Sequence, residues 1–187
     1  MARLVFRNLQ REVRGFADPG DTIHFTRSSA IVSETYGIYQ LSTATESRFI
    51  LDGRIMAGQF AFSSEAEATS VTIGRTGAIA GLNGLRLGGD DASVINRGAI
   101  TVSSEGISLY GVGGSAVNEG TIAAAYGFYL DGGSAFFVNG EHGRIDAIYE
   151  AMLSFGDAGD KVVFANHGTA IVSQGGLAVQ GGDENNT

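Results

Sequence analysis

Short alternations of apolar and polar residues run through the chain from about residue 20 onward. In the segment 127–130, Phe128 and Leu130 share one side of an extended chain and Tyr129 lies on the other. Between residues 20 and 187, no segment shows a sustained apolar repeat of 3.6 residues with capping residues. The pattern therefore predicts many strands of about three to five residues.

These segments recur in a fixed order. The motif V-(I)-N-x-G-x-I occurs at residues 93–100, 116–122, 137–145 (with two inserted residues) and 163–170, and looser copies lie at 50–55 and 71–79. A second motif, Gly-apolar-x-apolar, follows at residues 37–41, 84–87, 106–109, 127–130 and 176–179. The anchor isoleucines of the repeat, 21 to 26 residues apart, are Ile31, Ile55, Ile79, Ile100, Ile122, Ile145 and Ile171.

A repeat of this length predicts a solenoid. Strands this short pair poorly within one repeat, so we expect each strand to pair with its equivalent one coil away, at about 4.8 Å. The predicted fold is an all-β, right-handed parallel β-helix of about seven coils, each of roughly 23 residues. Its domains are an N-terminal cap at residues 1–20 and the repeats at residues 21–187.

The two ends of the chain differ from the repeats. Phe6, Leu9, Val13 and Phe16 have helical spacing, which predicts a short amphipathic helix over the open end of the first coil. At the other end, residues 181–187 resemble the beginning of a further coil. This favours either a longer chain or a second chain at that end.

Asparagine and glycine recur at fixed places in the motif. Asn96, Asn118, Asn139 and Asn166 are expected to stack as an internal ladder of hydrogen-bonded amides, the alternative being that Asn is a tolerant turn residue. The glycines that follow are expected at corners that need a positive φ or a close approach of two backbones. They are Gly98, Gly120, Gly143 and Gly168.

Composition narrows the function classes. The net charge is −8 and no run is rich in Lys or Arg, so nucleic-acid binding through phosphate contacts is not expected. The absence of cysteine removes disulfides and thiolate chemistry. No apolar run has the length of a membrane span, and arginines at positions 7, 11 and 14 interrupt any Sec-type signal.

The residues 87–100, together with 157–168 and 181–187, carry a resemblance. Their N-x-G-x-I, Gly-apolar-x-apolar and Gly/Asp-rich turns resemble repeat regions of bacterial type I-secreted, hemolysin-type calcium-binding (RTX-like) proteins and adhesin-like β-helices. The chain departs from RTX sequences in lacking the tandem GGxGxDxUx nonapeptide. The resemblance implies a secreted or cell-surface protein without a Sec signal peptide.

Two groups of residues are candidates for chemistry. The acidic turns would suit calcium, which prefers oxygen ligands, although Asp is also an ordinary turn residue. These candidates are Asp90, Asp91, Asp157, Asp160, Asp183 and Glu184. Repeat alignment also places His142 and His167 in one column with Glu119 and Arg97, a candidate zinc or acid–base site or simply a solvated edge.

An enzyme is the less favoured interpretation. Asp52 with Arg54, and Asp90 or Asp91 with Arg97, are the nuclei for a polysaccharide lyase or hydrolase. Coil lengths vary by only a few residues, which leaves little material for a substrate groove. We therefore expect no enzyme and no cofactor other than calcium.

The sequence-based hypothesis is an extracellular structural β-solenoid that self-assembles, by stacking its ends or its faces, into a filament, surface layer or matrix. The alternative is an adhesin or glycan-binding β-helix, in which Tyr110 and Tyr129 line an outer face and stack on sugars. The expected partners are further copies of the chain, or a polysaccharide.

Overall fold

The computed structural model describes residues 3–10, 14–16, 18–155, 160–175 and 179–180. These residues form a parallel β-solenoid of about seven turns, with no helix. Its strands are β1 Arg3–Phe6, β2 Leu9–Gln10, β3 Arg14–Phe16, β4 Thr22–Phe25, β5 Ala30–Ser33, β6 Tyr36–Gln40, β7 Arg48–Leu51, β8 Arg54–Ser64, β9 Ser70–Ile73, β10 Ala78–Leu87, β11 Ser93–Asn96, β12 Ala99–Val102, β13 Glu105–Leu109, β14 Gly114–Asn118, β15 Thr121–Leu130, β16 Ala135–Asn139, β17 Arg144–Ser154, β18 Val162–Asn166, β19 Thr169–Val172 and β20 Val179–Gln180.

Each turn contributes strands to two parallel sheets. The first sheet has the order β1-β4-β7-β9-β11-β14-β16-β18. The second has the order β2-β5-β8-β10-β12-β15-β17-β19. Outside this order, β6 pairs with β3 and β8, β13 pairs with β10 and β15, and β20 pairs with β17. In the first sheet one turn takes 19 to 27 residues, as the register Arg3, Thr22, Arg48, Ser70, Ser93, Ser115, Phe136, Val163 shows. The predicted stacking of equivalent strands is confirmed.

The predicted isoleucine column forms the core with one exception. The anchors from Ile31 to Ile145 are hydrogen-bonded in register and buried. In β19, however, Ala170 rather than Ile171 lies in register with Ile145, and Ile171 is 46% exposed. Side chains alternate between the faces of a strand, so a difference of one residue moves Ile171 from the core to the outer face.

The corner glycines are explained by close approach. A Cβ at Gly98 would collide with the carbonyl oxygen of Gly77, and a Cβ at Gly120 would collide with that of Gly98. Neither glycine has a positive φ. At these corners glycine is therefore required by the spacing of successive coils rather than by left-handed backbone.

The predicted N-terminal helix is wrong for the residues that the structure describes. β1, β2 and β3 pair in parallel with β4, β5 and β6 and so continue both sheets. Phe6 stacks on Phe25 with ring centroids 4.7 Å apart. A strand here satisfies the backbone groups at the edge of β4, which a helix would leave without partners. Val13, one of the four apolar positions, lies outside the described residues.

Candidate functional site

The predicted asparagine ladder runs through the last four turns. Asn96 Nδ2 donates to Asn118 Oδ1, Asn118 Nδ2 to Asn139 Oδ1 and Asn139 Nδ2 to Asn166 Oδ1, each at 2.8 Å. Asn96, Asn118 and Asn139 are completely buried. One turn before Asn96, the same column is occupied by Ile73. The ladder therefore begins on an apolar residue and extends toward the C-terminal end of the solenoid.

All of these amides donate in one direction. Asn139 Nδ2 also donates to Thr169 O in the next turn, at 3.1 Å. Asn166 accepts from Asn139, but its own Nδ2 has no acceptor among the described residues, and its side chain is exposed. The ladder thus ends on a directed, open donor at the edge of β18.

A second cluster lies on the outer face of the second sheet. The ring centroid of Tyr126 lies 5.6 Å from that of Tyr149 and 6.5 Å from that of Tyr129. The ring centroid of Tyr129 lies 5.9 Å from that of Tyr110 and 5.8 Å from that of Phe155. We call these five residues the tyrosine belt. The predicted outward position of Tyr110 and Tyr129 is confirmed, and the rings connect three successive turns into one aromatic surface.

Carboxylates surround the belt. Register places Glu105 before Tyr126 and Glu150 after it, in the neighbouring turns. Glu105 Oε2 accepts from Ser108 Oγ at 2.6 Å and lies 3.5 Å from the Tyr110 hydroxyl. Within the described part of the chain, no ion pair joins Glu105 or Glu150 to a cation.

This environment perturbs the phenols. Partial burial, followed by the negative charge of Glu105, raises the pKa of Tyr110 to about 12. Partial burial and the charges of Asp131 and Glu105 also raise the pKa of Tyr129. At one margin of the belt, Arg86 lies 4.7 Å above the Tyr110 ring and is paired with Glu65. The hydroxyl groups of Tyr110 and Tyr129 therefore remain protonated hydrogen-bond donors throughout the physiological pH range.

The acidic turns are not brought together into a metal cage. Asp90 Oδ1 accepts from the backbone N of Val112 at 2.8 Å, and the adjacent Asp91 is exposed with φ 54°. No group of three or more His, Asp or Glu residues among the described positions has the arrangement of a metal site. Asp160 is half-buried, whereas Asp157, Asp183 and Glu184 lie outside the described residues. Calcium binding by these turns stays a prediction.

The histidine column differs from the predicted alignment. His167 N donates to Asn139 O at 2.8 Å, the same bond that Gly140 N makes to Asn118 O, so Gly140 precedes His167 in the column. His142 lies in the inserted residues, and both histidines are exposed. The two are therefore not successive members of one column, because the insertion in that turn displaces His142 from it.

The nuclei proposed for an enzyme are arranged differently from expectation. Asp52 Oδ2 lies 2.8 Å from His24 Nε2 and joins two neighbouring turns on the outer face of the first sheet. Arg54 and Arg97 are exposed and make no ion pair with Asp52, Asp90 or Asp91. The His24–Asp52 pair had no sequence signal, since the two residues belong to different positions of the repeat.

The described residues contain no helix with the length and hydropathy of a membrane span. No protein-family model, curated protein or solved structure matches the chain. The likeness to RTX-like and adhesin-like repeats therefore rests on the sequence motifs, and the fold rests on the strand register.

Proposed function

We propose that this chain is a non-enzymatic, extracellular structural module that assembles end to end with further copies of itself. The observation that carries the proposal is the edge of β18 that faces away from β16. No described strand pairs with this edge, and the asparagine ladder ends there on the exposed Asn166 amide. Uniform coils without long insertions support a structural role over a catalytic one.

The backbone at this edge is also directed outward. His167 N donates to Asn139 O at 2.8 Å, and Lys161 O accepts from Ala135 N at 3.2 Å, so both groups face β16. Since the hydrogen-bonding direction alternates along a parallel strand, the backbone groups of Val162, Phe164 and Asn166 point away from β16. No described strand pairs with this edge. An unpaired edge of this kind is a template for strand addition.

The opposite end offers a strand of the same polarity. β1 pairs with β4 on one side, and Leu4 and Val5 at this end are 40% and 41% exposed. If β1 of a second copy followed β18, the parallel sheet would continue, and Leu4 would stack on Phe164. Asn166 Nδ2 would meet the carbonyl of Leu9, the position equivalent to Thr169, which accepts from Asn139. Such heterologous contacts do not close, so they generate fibres.

Negative-stain electron microscopy and light scattering of the purified chain test this proposal, each with calcium and with chelator. We expect ordered fibres that lengthen with concentration. Asn166→Asp retains the acceptor for Asn139 but replaces the open donor with a charge, and should suppress assembly. Asn83→Asp makes the same change away from both ends and should leave assembly intact.

Discrete particles at every concentration, with and without calcium, would overturn the proposal. Equal assembly by the Asn166→Asp variant would show that the ladder end is not the contact. Loss of fibres in chelator alone would assign the acidic turns to calcium.

A further inference from the structure

The tyrosine belt lies on the lateral outer face of the second sheet, over β13, β15 and β17, and not on the strand edges that would stack end to end. Its rings point outward, so they do not fill the core either. Tyr149 and Phe155 are 46% and 53% exposed, and Tyr110, Tyr126 and Tyr129 are half-buried. Exposed aromatic surface that is contiguous over several turns is typical of a binding site.

The polar groups of the belt are acceptors in excess. Glu105, Asp131 and Glu150 lie among the rings without a cation partner in the described residues, and the nearby Arg86 is already bound to Glu65. Carboxylates accept strong hydrogen bonds from hydroxyl groups. The ligand that fits must therefore offer apolar faces to the rings and many O–H donors to the carboxylates.

The negative charge around the belt excludes the acidic members of this class of ligand. Three carboxylates without cation partners, on a chain with net charge −8, repel uronate and sulfated polymers. An uncharged hexose polymer has the required combination, since pyranose rings present C–H faces and peripheral hydroxyls. The rings follow one another at 5.6 to 6.5 Å over three successive turns of the second sheet, which suits an extended chain rather than a single sugar.

We propose that the tyrosine belt is a binding site for an extended, uncharged polysaccharide, with Tyr126, Tyr129 and Tyr149 as the stacking platform and Glu105 and Glu150 as hydroxyl acceptors. The same two outward columns contain Tyr36 and Tyr39 near the N-terminal end. There the next turn supplies Phe60 and Ser63 rather than carboxylates. This second aromatic pair provides an internal control for stacking without acceptors.

Isothermal titration calorimetry with cellohexaose and mannohexaose as neutral probes, and oligogalacturonate as the anionic probe, tests the site. We expect binding of a neutral probe and none of the anionic one. Tyr149→Ala removes an exposed ring and should weaken binding about tenfold, whereas Tyr39→Ala should not change it. Glu150→Gln should weaken neutral binding and reduce discrimination against oligogalacturonate.

Circular dichroism and thermal unfolding of each variant establish that it is folded. Absence of binding to both neutral probes by the folded wild-type chain would overturn the proposal, as would equal losses from Tyr39→Ala and Tyr149→Ala. If Tyr149→Ala changed the assembly state instead of sugar binding, the belt would be a contact between copies and the proposal would be wrong. Assembly and sugar binding are measured separately, so either proposal can fail alone.

Discussion

Asn118 Nδ2 lies 2.8 Å from Asn139 Oδ1, and both side chains are completely buried between successive turns of the solenoid. Asn118 Oδ1 meanwhile accepts from Asn96 Nδ2 at 2.8 Å and from Gly120 N at 3.3 Å. Each interior member of the ladder is thus donor and acceptor at once. Its removal leaves unpaired groups on both sides, in a place that water does not reach.

We expect Asn118→Leu, a change of similar volume, to destabilise the protein substantially. It leaves the Asn96 amide and the Gly120 N–H without their main acceptor, and each buried unpaired group costs about 1–3 kcal/mol. Asn96→Leu should cost less: Gly98 N loses its acceptor and Asn118 Oδ1 loses a donor, but Asn96 rests on Ile73, so no amide in the preceding turn is left unpaired. Urea unfolding at neutral pH measures both free energies of unfolding. Equal losses of free energy of unfolding would show that an asparagine inside the ladder contributes no more than the asparagine at its beginning.

The raised pKa of Tyr110 gives a stability that depends on alkaline pH. Its phenol has a pKa of about 12 in the folded chain, against about 10 in an unfolded one. The contribution of this phenol to the free energy of unfolding is therefore complete below about pH 10 and is lost as the pH rises from there toward 12. We expect Tyr110→Phe to lose less stability than the wild type over this window.

Urea unfolding at several alkaline pH values, with the absorbance of tyrosinate recorded on the folded chain, checks this expectation. Glu105→Gln is the companion variant, because removal of that charge should lower the pKa of Tyr110 toward its ordinary value. Identical pH dependence in the wild type and Tyr110→Phe would contradict the burial of this phenol.

The repeat predicted the architecture because core columns impose one residue type per turn. Ile55, Ile79 and Ile100 could be aligned from spacing alone, and so could the asparagines. Local spacing was misleading at the ends: Phe6 and Leu9 suited a helix, but the open edge of β4 binds a strand more favourably. Ile171 was misplaced by one residue since the preceding turn contains additional residues, and no sequence pattern shows where a turn absorbs them.

The candidate site was predicted only in part for the same reason. Tyr110 and Tyr129 were recognised as outward residues. Pairing of Tyr126 with Glu150, however, depends on a register shift between Ala124 and Tyr126. Such an irregularity places carboxylates beside rings without leaving a sequence signal.

The corner glycines predict a sharp difference between two alanine substitutions. Gly98→Ala places a methyl group against the backbone carbonyl of Gly77, which the next turn holds in place. The atoms nearest to a Cβ at Gly133 are side-chain carbons of Val112, at 2.7 to 3.3 Å, and this side chain is 54% exposed and has room to shift. We expect a loss of about 2 kcal/mol or more for Gly98→Ala and a change within about 0.5 kcal/mol for Gly133→Ala, measured by urea unfolding. Comparable losses would contradict the requirement for close approach at residue 98.

Two serines in one inward column predict opposite effects of the same substitution. Ser64 Oγ is bonded to Gln40 Oε1 at 2.9 Å, to Thr69 Oγ1 at 3.0 Å and to Ala66 N at 3.1 Å. Ser154 Oγ is buried without any hydrogen-bond partner among the described residues. Ser64→Ala should therefore destabilise by about 1–3 kcal/mol, whereas Ser154→Ala should be neutral or stabilise by about 1 kcal/mol, because it removes an unpaired polar atom. Thermal and urea unfolding of both variants below the concentration of assembly give the comparison.

If Ser154→Ala were as destabilising as Ser64→Ala, the Ser154 hydroxyl would have a partner beyond the described residues. If Ser154→Ala lost stability only in assembled samples, that partner would belong to the contact between copies, and the C-terminal end would present two polar groups, Ser154 and Asn166, to its neighbour.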